Sequence, residues 1–299
     1  MQQELISNKE KLQICLEQLD GEIAKALKLS ILPYLKIDIK QDNNLSSIQS
    51  KFGGLPYLPK GIPYPKDKDG VPLSFVGQIN FKEILPLPFL PENGIISFFY
   101  QPGHSHLGED YNNPIQQNYF KVMYFEDSSL PCESDFTFLE TLGKTYGEKY
   151  NYAIFKNPFP GYRLIFSLLY MPMTHHNYLY HDQIASKAMI DPEPENTAKF
   201  IKWCEEKDQK MKVVENFLRQ QLGYHEYGSR IGGYPIFAQD DPRHDCVLPK
   251  PMDFLLLQVD STEDGEILVA DRGTMNFFIN SEDLAKRNFS DILYSCTYL

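Results

Sequence analysis

Apolar positions along this chain fall into two rhythms. Near the N-terminus Leu12, Cys15, Leu16, Leu19, Ile23, Ala26 and Leu27 recur every three or four residues, the period of a helix with one apolar stripe. Ser7 and Glu10 stand at capping-box spacing ahead of them, so a helix is predicted over residues 8–29, weakened at Gly21 and ended by Pro33. Further along, the rhythm shortens. Runs at 73–79, 95–100, 118–125, 162–170, 254–259, 267–270 and 274–279 are rich in β-branched and aromatic residues and bounded by Gly, Pro, Asn or Asp, which predicts strands. Helical spacing returns over 196–222, where Phe200, Trp203, Cys204, Met211, Val214, Phe217, Leu218 and Leu222 share a face and Gly223 supplies a stop. A short helix is predicted over 134–142, closed by Gly143, and single turns capped by Asn80 and Asn280.

One pattern occurs twice. Residues 50–59 read SKFGGLPYLP and residues 229–239 read SRIGGYPIFAQ. Each is followed by an apolar run ending in Gln78-Ile79-Asn80 or Gln258-Val259-Asp260, then by a Gly and a Phe pair: Gly94 with Phe98 and Phe99, Gly273 with Phe277 and Phe278. The copies are offset by 179 residues at the double Gly, 180 at the Gln and 179 at the Phe pair, so one insertion keeps three landmarks in register. An internal duplication is the economical reading. Short strands with local neighbours favour a mainly β fold, α+β by content: duplicated antiparallel β-roll or half-barrel units with peripheral helices. The expected organisation is an N-terminal helical segment over 1–44 packed on the body, a first β-rich unit over 45–180, a linking helical region over 181–224 and a second β-rich unit over 225–299.

These landmarks resemble the YwqG-like family, also described as a domain of unknown function. The resemblance rests on Lys51-Phe52-Gly53-Gly54 with Pro56 and Pro59, Gln78-Ile79-Asn80, Gly94 with Ser97-Phe98-Phe99, Gly232-Gly233 with Pro235 and Gln239, Leu257-Gln258-Val259-Asp260, Asp271, Gly273 and Phe277-Phe278. It covers about residues 45–295 and implies a duplicated, mainly β, roll-like fold, with no established chemistry, cofactor or catalytic residue. The chain departs from it where relatives tend to carry Trp-Gly before the late Asp; here Val269 and Ala270 precede Asp271.

Composition narrows the function classes. With 29 Lys+Arg against 40 Asp+Glu, the formal net charge of -11 disfavours a nonspecific grip on nucleic acid. No apolar run is long enough to predict a spanning helix, and Glu4 and Glu10 precede any apolar stretch, unlike a secretory signal. Five scattered Cys suit reduced thiols. A cytoplasmic protein, monomer or weak dimer, is expected. The 20 Phe and 19 Tyr suit sheet packing.

Candidate chemistry is dispersed. His104, His106, Glu109 and Asp110 share a loop, and His175, His176, His181 and Asp182 form a second cluster; neither has metal-ligand spacing, and both read as polar loops. Asp240, Asp241, Arg243, His244 and Asp245 follow the second double Gly, where an Asp–His pair suits acid–base work and Arg243 suits an anion. Gln78 and Gln258 place a long amide inside an apolar run, where both its oxygen and its NH₂ need partners. The expected use is to hold the backbone of the neighbouring GGxP segment, with a ligand cleft as the functional reading. Gln78, Gln258 and Arg243 are therefore the candidate ligand-binding residues; no catalytic residue, metal or cofactor is assigned. A non-enzymatic module binding a protein or small ligand is the expected function. A hydrolase using His104/His106 or Asp241/His244 is the alternative.

Overall fold

The computed structural model describes residues 7–18, 21–104, 106–138, 154–156, 159, 161–188, 206, 209, 212, 216, 220, 227–244 and 246–299. The chain divides into two compact units. One comprises Met1–Tyr34, Leu169–Tyr227 and Gly233–Ile236; the other comprises Leu35–Leu168, Gly228–Gly232 and Phe237–Leu299.

In the smaller unit the predicted capping box forms: the Glu10 amide donates to Ser7 Oγ at 3.2 Å and the Ser7 amide to Glu10 Oε2 at 2.9 Å. The predicted single helix is instead two, α1 (Asn8–Glu17) and α2 (Glu22–Leu29). The break falls at Gly21, which takes φ +89° as the N-cap of α2, a conformation outside the helical region that costs Gly little. Leu12, Cys15, Leu16 and Leu27 pack with Tyr34, Met171, Met173, Tyr180, Ile184 and Tyr234 as the core of this unit. A one-turn α3 (Tyr180–Gln183) adds to it. The helix predicted over 196–222 lies largely outside the described residues; those described, at 206, 209, 212, 216 and 220, are helical. The helix predicted over 134–142 also lies mostly outside them.

The larger unit is organised by one ten-stranded sheet. Its strands are β1 (Leu32–Gln41), β2 (Lys51–Phe52), β3 (Ser74–Asn80), β4 (Ile95–Tyr100), β5 (Phe120–Phe125), β6 (Tyr162–Met171), β7 (Arg230–Gly232), β8 (Phe254–Asp260), β9 (Thr274–Ile279) and β10 (Leu293–Thr297). Spatial order is β10-β9-β8-β7-β1-β6-β2-β3-β4-β5. From one end the series reads β5, β4, β3, β2, β6; from the other, β10, β9, β8, β7, β1. Thus β1, which precedes β2 in the chain, is bonded next to β7, and β6, which precedes β7, is bonded next to β2. The two arms agree in register. Gly77 faces Phe98 and Gln78 faces Ser97 after a shift between Phe75 and Gly77; Leu257 faces Phe277 and Gln258 faces Asn276 after a shift between Leu255 and Leu257. The pairs β6–β2, β2–β3, β3–β4 and β4–β5 on one side, and β7–β8, β8–β9 and β9–β10 on the other, are antiparallel.

This sheet curls into a near-closed roll, because its two ends meet around one core. The rings of Phe98 on β4 and Phe277 on β9 lie 5.0 Å apart, Phe277 and Tyr294 4.8 Å, and Phe120 and Tyr294 5.1 Å. Fold class is therefore mixed α/β by content, dominated by strands, with short peripheral helices. Among these is α4 (Ser281–Ala285), capped as predicted by Asn280, whose Oδ1 accepts the Glu282 and Asp283 amides. Asn80 likewise caps a 3-10 turn at Phe81–Glu83. The predicted strand at 267–270 is not one: Ile267 and Val269 make isolated bridges to Phe155 and Gly273. The chain turns there because Ala270 and Arg272 take φ +46° and +53°.

Two stability measurements follow. Phe98→Ala and Phe277→Ala, each at a fully buried ring, are expected to cost about 3–5 kcal/mol apiece by urea titration. Their double mutant should fall short of the sum by about 0.5–1.5 kcal/mol, the coupling of an aromatic pair; strict additivity would deny the contact. Ala270→Gly, at the position where the resemblance expects Gly, should stabilise by about 0.5–1 kcal/mol through relief of its left-handed conformation. A loss at that position would show that the methyl group contributes more by packing than it costs in strain.

Candidate functional site

The double glycines bring the GGxP segments against the sheet. Gly53 and Gly54 take φ +64° and +70°, Gly232 and Gly233 +73° and +66°, so both segments leave β2 and β7 by the same left-handed turn. Behind each turn lies a buried polar row. Along the first, register pairs Lys51 with Gln78 and Gln78 with Ser97. Along the second, it pairs Arg230 with Gln258, Gln258 with Asn276 and Asn276 with Ser295. All seven side chains are buried, at no more than 2 % exposure.

Buried polar groups on this scale call for partners, and for Lys51, Gln78, Arg230 and Gln258 the backbone supplies them, while Asn276 Nδ2 donates to Thr274 Oγ1. Gln78 Oε1 accepts the Tyr57 amide at 2.7 Å, and its Nε2 donates to Ser47 O at 2.7 Å and Gln49 O at 2.9 Å. Both amide hydrogens are thus taken up within the chain. Lys51 Nζ donates to Ser46 O at 2.7 Å, Asn80 Nδ2 to Ile48 O at 3.0 Å, and the Asn80 amide to Ser50 Oγ at 2.9 Å. In the second row Gln258 Nε2 donates to Gly228 O at 2.8 Å, Arg230 Nε to the same oxygen at 3.3 Å, and the Asp260 amide to Ser229 Oγ at 3.0 Å. Asp260 Oδ2 accepts the Gly228 amide at 2.6 Å. The acid of the second row has a displaced counterpart in the first, where Glu83 Oε2 accepts the Ser50 amide at 2.7 Å.

Charge is costly here. Burial drives the Lys51 ammonium down to about 8, against the opposing influence of Cys132 and Glu83. Burial likewise pushes the Asp260 carboxyl up, opposed by the Gly228 amide and by Arg230.

Beside the first row lies an open groove of about 330 Å³. Its floor is Gln49 and Ser50, the residues that Gln78 and Asn80 hold, and its walls are Lys82–Leu85 and Arg163–Phe166. Its rim mixes chemistry: Leu85 and Ile165 are 48 % and 46 % exposed, and Arg163 pairs with Asp42 at 2.9 Å.

The other candidates fall elsewhere. Arg243 is buried and its Nη2 meets Asp241 Oδ2 at 2.6 Å; its guanidinium donates to Met252 O and stacks over Phe278 at 4.3 Å. Asp241 is thereby committed to Arg243, and His244 is exposed. His104 stacks on Tyr119 at 4.0 Å and His106 meets Tyr111 edge-on at 4.8 Å, while Glu109 turns inward to the Cys296 amide and Asp110 to Asn118. Burial holds the His104 imidazole below its ordinary pKa. His175 and His176 stack on each other, and His181 is exposed beside Asp182. Among the described residues no group of three or more His, Cys, Asp or Glu side chains is placed to hold a metal ion. Lys51 and Arg230 are not among the candidates that the sequence singles out. Their signal was a basic residue before each double Gly, at the same 179-residue offset.

Lys51 yields a pH test. Its folded pKa lies below the unfolded value near 10.5, so the folded chain releases this proton first, and stability rises as pH climbs from about 8 towards 10.5. Relative to Lys51→Met, the wild type should gain about 2 kcal/mol between pH 7.5 and 9.5, read from paired urea titrations. A pH-independent difference between the two proteins would place the ammonium in water.

No curated protein matches the chain. A model of a domain of unknown function, DUF1963, matches residues 50–297, which takes in both GGxP segments, both polar rows and every residue lining the groove but Gln49. The chain belongs to the DUF1963 family.

Proposed function

We propose that this protein is a non-enzymatic binding module that takes a small ligand with an apolar body and a charged end. The groove over Gln49 and Ser50 carries this reading, because a concave surface with exposed Leu85 and Ile165 beside Lys82 and Arg163 suits such a molecule. Gln78 serves it indirectly by fixing the floor, and Gln258 performs the equivalent task behind the second GGxP segment. Arg243, held by Asp241 and Phe278, supports the sheet beside that second segment. We further read the two arms as an internal duplication in which one copy elaborated a groove; the near-constant offset, the shared bulge position and the matched Ser–amide bonds support it. The module acts in the cytoplasm as a monomer or weak dimer.

The test compares the wild type with the double variant Arg163→Glu/Ile165→Asp. Both sites are exposed, so the variant should stay folded, losing only the surface pair of Arg163 with Asp42, and a thermal melt checks this. Each protein is purified from native lysate and the small molecules it carries are identified by mass spectrometry. A species enriched on the wild type and lost from the folded variant is the expected result. Equal retention by both, or no enriched species on the wild type, would overturn the assignment of the groove.

A further inference from the structure

The two ends of the sheet, β5 and β10, are bridged by a loop. Residues 107–117 make bonds to both edges. Glu109 Oε2 accepts the Cys296 amide at 3.0 Å, Pro114 O accepts the Tyr294 amide at 3.3 Å, and Leu107 O accepts the Tyr294 hydroxyl at 2.8 Å. Towards β5 Gln117 Oε1 accepts the Val122 amide at 2.8 Å, while Gln117 Nε2 reaches the segment ahead of β10, donating to Phe289 O at 2.8 Å and Ser290 O at 3.1 Å. The edge amides of β10 are thus covered by a carboxyl and a carbonyl of the loop, an arrangement that blunts an open sheet edge but is detachable.

We propose that residues 107–117 form a pH-responsive latch over the seam between β5 and β10, with Glu109 as its titrating group. Glu109 is only 5 % exposed, and its carboxyl faces neutral groups. On β10 these are Tyr294, Ser295 and Cys296, and on its own loop Tyr111; Tyr100 of β4 stands behind Cys296 and Tyr294. Burial pushes the Tyr294 hydroxyl and the Cys296 thiol well up, so neither carries charge near neutrality. The other titratable loop groups are engaged elsewhere, His106 against Tyr111 and Asp110 with Asn112, Asn113 and Asn118. Among the described residues no cation acts on the carboxyl, which receives the Cys296 amide and the Ser295 hydroxyl. Burial accordingly raises its pKa to about 7.

The direction follows from linkage. The closed latch holds a proton that the open, solvated carboxyl gives up near its ordinary value of 4.5, so closure is favoured at low pH and weakens as pH rises to about 7. Above that the ionised Glu109 gains hydration by leaving the seam, which uncovers the Tyr294 and Cys296 amides and the apolar Leu107.

Hydrogen–deuterium exchange of the C-terminal peptide spanning β10 tests this at pH 5.5 and 8.5, after correction for intrinsic exchange rates and with a β8 peptide as internal control. For the wild type, opening of β10 should increase on the order of thirtyfold between the two pH values while β8 changes little. Glu109→Gln, which keeps the acceptor for the Cys296 amide and cannot ionise, should abolish the difference. A pH-independent β10 in the wild type, or the same pH response in Glu109→Gln, would overturn the latch. A carbon-13 titration of the Glu109 carboxyl in the wild type needs no variant: a midpoint near neutrality supports the proposal and one near 4.5 overturns it.

Discussion

Phe98 and Phe277 face each other in the core at 5.0 Å, one from each arm of the sheet, and this contact sets what the rest of the larger unit must do. Bringing β4 and β9 together requires ten twisted strands to curl until their ends approach. The bulges between Phe75 and Gly77 and between Leu255 and Leu257 supply local bending at the strands beside them. Tyr294 and Phe120 extend the ring contacts towards the seam, where the loop at 107–117 completes the closure. Stability in such a roll is shared between arms, since each buries its aromatic residues on the other.

The opposite face of the sheet meets a different constraint. Lys51, Gln78 and Ser97 in one arm, and Arg230, Gln258, Asn276 and Ser295 in the other, put polar groups where water is absent. Each desolvated donor carries a cost of about 1–3 kcal/mol if left unpaired, so the segments preceding β2 and β7 are held where their carbonyls can accept. The groove is a by-product of that requirement in the first arm: Gln49 and Ser50 are fixed from below by Gln78 and Asn80 and left open above. The proposed ligand surface would therefore rest on a floor that it does not have to organise.

Much of this was legible from residue order, for reasons that can be located. The strands β3, β4, β8 and β9 are long and strongly apolar, and the Ser7, Asn80 and Asn280 caps depend on neighbours two or three residues away. The shared left-handed turns were foreshadowed by the double glycines. By contrast β2 and β7 are two and three residues long, too short for a period to be read. Strand β1 alternates at Leu35, Ile37 and Ile39, but Pro33 at its start carries the signal of a helix end. The placement of β1 beside β7 and of β6 beside β2 leaves no local mark, since it pairs segments far apart in the chain. Lys51 and Arg230 belong to residue types that are ordinarily exposed, and their common offset was the one available clue. Nothing in the loop distinguished Glu109 from Asp110, although one is buried and the other is not.

The central claim is that the two arms, tied by exchanged strands and by the Phe98–Phe277 contact, form one cooperative structure. Native-state hydrogen exchange across a denaturant series measures this directly, because it assigns an opening free energy and a denaturant slope to each strand. The account predicts that the slowest amides of β3 and β4 converge with those of β8 and β9 on one global free energy and one slope. Separate plateaus for the two arms, differing by about 2 kcal/mol or more, would contradict it and show that each arm unfolds on its own.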